Sequence, residues 1–231
     1  MMRNIVIIPC AGSGSRFNSV IPKQYLPLLD KTVLDWTLQA FLRVKQISAI
    51  YVVCQADDSY IEDYKLKYST VSFLAYGGET RAATVTNALD IINANNDDWI
   101  LVHDAARCCV DPSDIEKMIV SLEGAAIGGI LASKATDTLK QVDIDGNIIA
   151  TIDRSSTYQA QTPQMFRYGL LKSALVKCRN ANMNVTDEAS AVEFLGKTVK
   201  IVESDNCNLK VTYPQDLLMA ECIIKNRNKE E

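Results

Sequence analysis

Short apolar runs rich in Val and Ile alternate along the chain with longer segments in which apolar residues recur at helical spacing. This rhythm predicts a βα-repeating α/β protein with a mostly parallel sheet. Strands are expected over Asn4–Pro9, Ala49–Cys54, Val71–Ala75, Trp99–His103 and Ala126–Leu131. Helices are expected over Val33–Val44, Tyr60–Lys67, Arg81–Asn93 and Ser113–Leu122. The first strand, NIVIIP, is apolar at nearly every position, which suits a sheet covered by helices on both faces. Ser113, behind Pro112 and ahead of Glu116, has the spacing of a capping box.

One stretch breaks the pattern. Thr138–Val142 and Asn147–Ile152 are strand-like and flank Asp143-Ile144-Asp145-Gly146, where Asp-Gly signals a tight hairpin turn. A hairpin inserted late in an α/β chain reads as a protruding arm of the kind used for dimerisation. Helices return over Arg167–Asn180, Asp187–Leu195 and Pro214–Lys225, followed by a polar tail, Asn226–Glu231, expected to fray. The length of 231 residues suits one domain, 1–231, with the arm at about 137–155.

Composition narrows the function classes. Apolar residues make up 48%, enough for a sizeable core. A net charge of −4 argues against nucleic-acid or anionic-membrane binding, so an anionic ligand would need a local cluster of cations. The longest apolar run is too short for a membrane span or a signal peptide. Seven cysteines, with no CxxC pair and with Cys108 next to Cys109, read as reduced thiols in a cytoplasmic protein.

Candidate chemistry collects at the strand ends. The first strand runs into Pro9-Cys10-Ala11-Gly12-Ser13-Gly14-Ser15-Arg16-Phe17, where Gly12 and Gly14 let backbone N–H groups approach an anion. Phe17 breaks a dinucleotide fingerprint, and no Gly-Lys-Ser/Thr completes a P-loop. Instead Arg16 and then Lys23, in Pro22-Lys23-Gln24-Tyr25, stand ready to grip a triphosphate. Gly77-Gly78-Glu79-Thr80-Arg81 opens a helix, with Thr80 as a possible N-cap and Thr84 one turn in. His103-Asp104-Ala105-Ala106-Arg107 puts a carboxylate where parallel strands present ligands to Mg²⁺ or ribose. His103, the only histidine, has no nucleophile arrangement around it and reads as structural, which disfavours hydrolase triads. Thr186 is a plausible N-cap with two acids in the first turn behind it, and Lys210 is expected on a strand entering the last helix.

Taken in order, AGSGSR, PKQY, GGETR, HDAAR, Asp137-Thr138, TPQMF, TDEASA and NLKVT resemble the 2-C-methyl-D-erythritol 4-phosphate cytidylyltransferases over almost the full length. The resemblance implies a Rossmann-like three-layer nucleotidyltransferase fold and Mg²⁺-dependent transfer of CMP from CTP to a small sugar-alcohol phosphate. By matching position, Pro9, Cys10, Ala11, Gly12 and Gly14 would hold the nucleotide, with catalytic Arg16 and Lys23 on its triphosphate. Gly78, Glu79 and Thr84 would read the cytosine. Asp104, beside Ala105, would sit near ribose and the metal. Arg107, Thr138 and Thr186 would line the sugar-phosphate pocket with catalytic Lys210. The arm would cross a homodimer, so Arg154 and Thr162 would serve the neighbouring subunit. Ribitol-5-phosphate cytidylyltransferases share several of these stretches and remain an alternative, as does a nucleotide-binding protein without turnover. Cys10, Ser15, Glu79, Cys108 and Cys207 depart from the usual residues of the family.

Overall fold

A computed structural model describes residues 2–12, 17, 21–205 and 207–230; Gly14, Ser15 and Arg16 lie outside the described residues. Strand β1 (Asn4–Pro9) is followed by a two-residue ladder, β2 (Pro27–Leu28) with β3 (Lys31–Thr32), then α1 (Val33–Leu42), β4 (Ile47–Val53) and α2 (Ile61–Lys67). Next come β5 (Val71–Leu74), α3 (Arg81–Ile91), β6 (Trp99–Val102), α4 (Pro112–Leu122) and β7 (Gly128–Lys134). The hairpin β8 (Leu139–Val142) and β9 (Ile148–Ile152) precedes β10 (Tyr158–Arg167), α5 (Tyr168–Asn180), α6 (Glu188–Phe194), β11 (Lys200–Glu203) and α7 (Pro214–Glu230).

The central sheet has seven strands in the order β11-β7-β10-β6-β1-β4-β5. All its described pairs are parallel except those of β10, which runs antiparallel between β6 and β7. Pleating explains the unbroken apolarity of β1. Val6 and Ile8 face a core shared with α1, α2 and α4, through Leu38, Ile61 and Met118; Ile5 and Ile7 face another, shared with α3, α5 and α6, through Leu89, Leu175 and Val192. Each such side chain, buried from water, contributes roughly 1.5–3 kcal/mol. A third cluster, including Trp36, Cys108, Val211 and Ile224, seats α7 beside α1.

Several local expectations are revised. The apolar pattern predicts neither β10 nor β11. In β10, Pro163 argues against a central strand, but the ladder with β7 shifts register between Ala160 and Gln164, so a residue without N–H is tolerated there. The α4 cap is Asp111, whose carboxylate accepts the Ser113 N–H at 2.9 Å, with Pro112 as the first helical residue; Ser113 is already inside the helix. Likewise Asp187, not Thr186, caps α6 in a box with Ser190. Helix α7 continues to Glu230 instead of fraying after Lys225, tied down by Arg227, which bonds the carbonyls of Val110 and Cys109 and pairs with Asp111 at 3.0 Å. Lys210 lies on irregular chain, not a strand. Among the described residues no helix is long and apolar enough to cross a membrane.

Candidate active site

A cavity of about 380 Å³ opens where the chain leaves β1, β5 and β6. Pro9, Cys10, Ala11, Gly12, Lys23, Gly78, Glu79, Thr84, Asp104, Ala105 and Lys210 all line it. It is built by close approach of backbone loops. A Cβ on Gly77 would stand 2.6 Å from the Cβ of Ala11, so glycine lets the loop after β5 close on the loop after β1. The Thr84 hydroxyl accepts the Gly78 N–H and donates to the Thr80 carbonyl, both at 3.0 Å, which fixes the Gly78–Glu79 turn. Buried Gln24 donates to the carbonyls of Cys10 and Gly12 at 3.1 and 3.2 Å, tying the Lys23 segment to the first loop. Burial pushes the Cys10 thiol well above its usual range, so its side chain packs and does not react.

The loop carrying Asp104 is held from three sides. Thr37 of α1 donates to the Ala105 carbonyl at 3.0 Å, and the Val211 N–H donates to the Ala106 carbonyl at 2.8 Å. The latter contact brings Lys210 to the cavity. The Thr162 hydroxyl accepts the Asp104 N–H and lies 3.1 Å from His103 Nδ1, while His103 Nε2 lies 3.1 Å from the Arg107 carbonyl. A carbonyl only accepts, so Nε2 carries the proton and Nδ1 accepts from Thr162. The neutral imidazole therefore braces both ends of the loop, and burial pushes its pKa down to about 3. The unfolded chain binds this proton and the folded one does not, so His103 lowers stability progressively as pH falls from about 6.5 toward 3. His103→Asn is expected to flatten that dependence by up to about 1.4 kcal/mol per pH unit, read by urea unfolding across the window. An unchanged slope would count against a neutral buried His103.

Charge is arranged around Asp104. Its Oδ1 accepts from Arg81 Nε at 2.7 Å, its Oδ2 meets Lys210 Nζ at 2.7 Å, and Arg107 Nε stands 3.8 Å away. Burial would raise its pKa, but Arg81 and Lys210 hold the carboxyl well below the usual carboxylate range. Lys23 Nζ donates to the Val211 carbonyl at 3.1 Å, on the same wall as Lys210. The sequence does not single out Arg81 as a site residue, because its partners, Asp104 and Glu188, are remote along the chain and leave no local signal.

Of the residues expected in the sugar-phosphate pocket, Lys210 lines this cavity, and Arg107, Thr138 and Thr186 do not. Arg107 is largely buried and its guanidinium bonds the carbonyls of Asn208 and Ala160 at 2.6 and 3.3 Å. Thr162 is buried with its hydroxyl engaged as above, so it does not face outward to a neighbour. Thr138 and Thr186 are exposed, and exposed Arg154 donates to the Thr136 carbonyl at 2.7 Å beside the arm.

Among the described residues, no group of three or more His, Cys, Asp and Glu side chains could hold a metal. Two carboxylates, Asp104 and Glu79, line the cavity, and Asp104 stands beside the cations Arg81 and Lys210. That donor set fits Mg²⁺, which is commonly held by one or two carboxylates with substrate phosphates and water.

A doubly wound sheet with a cation-lined cavity at its strand ends defines a nucleotide-handling α/β protein, with chemistry directed at phosphate. The comparisons narrow this to one family. The family described as IspD, 2-C-methyl-D-erythritol 4-phosphate cytidylyltransferase, matches residues 4–226. A relative of that name from Chromobacterium violaceum is 44% identical over 225 residues, covering 97% of this chain and 99% of the relative. A crystal structure described as 4-diphosphocytidyl-2C-methyl-D-erythritol synthase superposes with a TM-score of 0.85 at 39% identity, covering 97% of this chain and 99% of that one. The Francisella tularensis 2-C-methyl-D-erythritol 4-phosphate cytidylyltransferase gives 0.82 at 37% identity, with coverage of 96% and 99%. The chain belongs to the 2-C-methyl-D-erythritol 4-phosphate cytidylyltransferase family.

Proposed function

We propose that the chain transfers the cytidylyl group of CTP to 2-C-methyl-D-erythritol 4-phosphate, giving 4-diphosphocytidyl-2-C-methyl-D-erythritol and pyrophosphate for non-mevalonate isoprenoid synthesis. The observation that carries this reading is the convergence of Lys23, Lys210 and Asp104 on one cavity at the strand ends. A phosphate-monoester oxygen of the acceptor attacks the α-phosphorus of CTP, and the bond to the bridging β-phosphate oxygen breaks as pyrophosphate leaves. That oxygen is largely deprotonated at neutral pH, so no general base is required. The difficulty is repulsion between two anions and charge on the leaving group, and fixed cations address both. Lys23 and Arg16 hold the triphosphate, while Lys210 stabilises the α-phosphate and the incoming phosphate. Gly78, Glu79 and Thr84 shape the cytosine end. Asp104 is the residue that would hold Mg²⁺, and the bound cation would supply charge neutralisation on the triphosphate.

The chain acts in this reading as one cytoplasmic domain, with residues at about 137–155 forming a homodimer arm. The arm exposes Val142, Ile144, Ile148 and Ile149, apolar surface that a second subunit would cover. Arg107, Thr138 and Thr186 would meet the acceptor with help from Arg154 across the dimer. Arg154→Ala is expected to raise KM for the sugar phosphate about tenfold, as for loss of a charged hydrogen bond, with less effect on KM for CTP. Equal effects on both constants, in steady-state assays varying each substrate, would remove Arg154 from the acceptor pocket.

The reaction is tested by product analysis crossing four nucleoside triphosphates with methylerythritol phosphate and ribitol 5-phosphate. Pyrophosphate release restricted to CTP with methylerythritol phosphate is expected. Preference for ribitol phosphate or for another nucleotide would overturn the assignment.

A further inference from the structure

Glu188 is wholly buried at the start of α6 and does not line the cavity. Its two carboxylate oxygens accept from Arg81 Nη1 and Nη2 at 2.7 and 2.9 Å. The other edge of the same guanidinium presents Nε to Asp104 Oδ1 at 2.7 Å, and Asp104 Oδ2 meets Lys210 Nζ at 2.7 Å. Four charges of alternating sign therefore run from the interior to the cavity wall, drawn from four separate segments of the chain. The planar guanidinium makes the chain directional: with one edge locked in a bidentate pair, Nε has a single orientation left.

We propose that Glu188 is a positioning residue for cytidylyl transfer, fixing Arg81 and, through it, the placement of Asp104 and Lys210. The inference rests on the reaction proposed above. Without the Glu188 carboxylate, Asp104 is, among the described residues, the one carboxylate left paired with the Arg81 cation. A buried charge seeks compensation, so the guanidinium turns further toward Asp104 and draws its carboxylate off Lys210. Glu188 touches no reactant in this account; its effect on rate is transmitted.

The test is a double-mutant cycle on the full chain, with Glu188→Gln, Arg81→Gln and the double variant. Glu188→Gln keeps size and shape, and the double variant replaces the buried pair with two neutral groups, so folding is protected. Glu188→Gln is expected to lower kcat at least about tenfold through misplacement of groups at the cavity. If Glu188 acts through Arg81, the double variant should match Arg81→Gln within about threefold. Losses that multiply would overturn the proposal. A readout independent of turnover is competitive acetylation of Lys210 against exposed Lys197 in the ligand-free protein, followed by peptide mass spectrometry. Glu188→Gln should raise Lys210 labelling severalfold as the amine parts from Asp104. Unchanged labelling would overturn the wiring even if turnover fell. Lack of wild-type turnover with CTP and methylerythritol phosphate would instead sink the reaction reading, and the labelling would still report on the wiring.

Discussion

Lys210→Ala is expected to lower kcat by about 10²–10³, the usual consequence of removing a fixed donor from developing transition-state charge. The Lys210 ammonium sits 2.7 Å from Asp104 with its side chain about one-third exposed, so it is anchored at one end and open to the cavity. An ammonium has three donors, which allows it to keep Asp104 while meeting phosphate oxygens. Because the contact strengthens as the α-phosphate is attacked, KM for CTP should move less than kcat. Steady-state kinetics with both substrates varied would measure the split. A kcat within about twofold of wild type would exclude Lys210 from the transition state, since removing such a donor costs far more.

Asp104→Asn should be costlier still, because it strikes both stability and turnover. In the wild type one carboxylate faces Arg81, Lys210 and, at 3.8 Å, Arg107. Breaking a buried ion pair by removing one partner typically costs about 3–5 kcal/mol, here moderated by the solvent that reaches Lys210. A fall in melting temperature of several degrees is expected, together with at least about 10²-fold loss of kcat from misplaced Lys210 and loss of the carboxylate suited to Mg²⁺. The pH sign follows from the depressed carboxyl pKa. Asp104 contributes stability above the ordinary carboxylate pKa, and that contribution is lost only as pH falls through its lower folded value. The stability gap between wild type and Asp104→Asn should therefore stay constant from neutral pH to about pH 5 and close only at more acid pH. A gap that closed near pH 6 would mean that the carboxylate is not held by its cations.

What the sequence made legible follows from how local each signal is. Strand β1 and the Gly-rich loop behind it are contiguous, so apolarity followed by a sharp turn gives both the strand and its ligand end. The hairpin β8–β9 was equally plain, because Asp-Gly marks its turn and Asp143 accepts the Asn147 N–H at 2.8 Å across it. Strand β10 was hidden because polar Gln159, Gln161, Thr162 and Gln164 interrupt its apolar pattern. Three of these are buried polar groups satisfied far away in sequence: Gln161 by Ser204 at 2.7 Å, Thr162 by the Asp104 N–H at 3.1 Å, and Gln164 by the Ala189 N–H at 2.9 Å. Buried polar residues with remote partners imitate a loop when read locally. The same reason hid Arg81 and Glu188, whose pairing exists only once α3 and α6 lie on one face of the sheet. Thr162 was placed by motif alone, and its use as a link between His103 and Asp104 is visible only in three dimensions.

The central claim is that fixed cations around Asp104 bring two phosphorylated reactants together at the strand ends. A crystal structure of the protein with Mg²⁺ and a non-hydrolysable CTP analogue tests it most directly. The predicted result is a triphosphate within hydrogen-bonding distance of Lys23 and Lys210, with cytosine against Gly78 and Glu79. A nucleotide bound elsewhere, or the two ammonium groups turned away from its phosphates, would contradict the account.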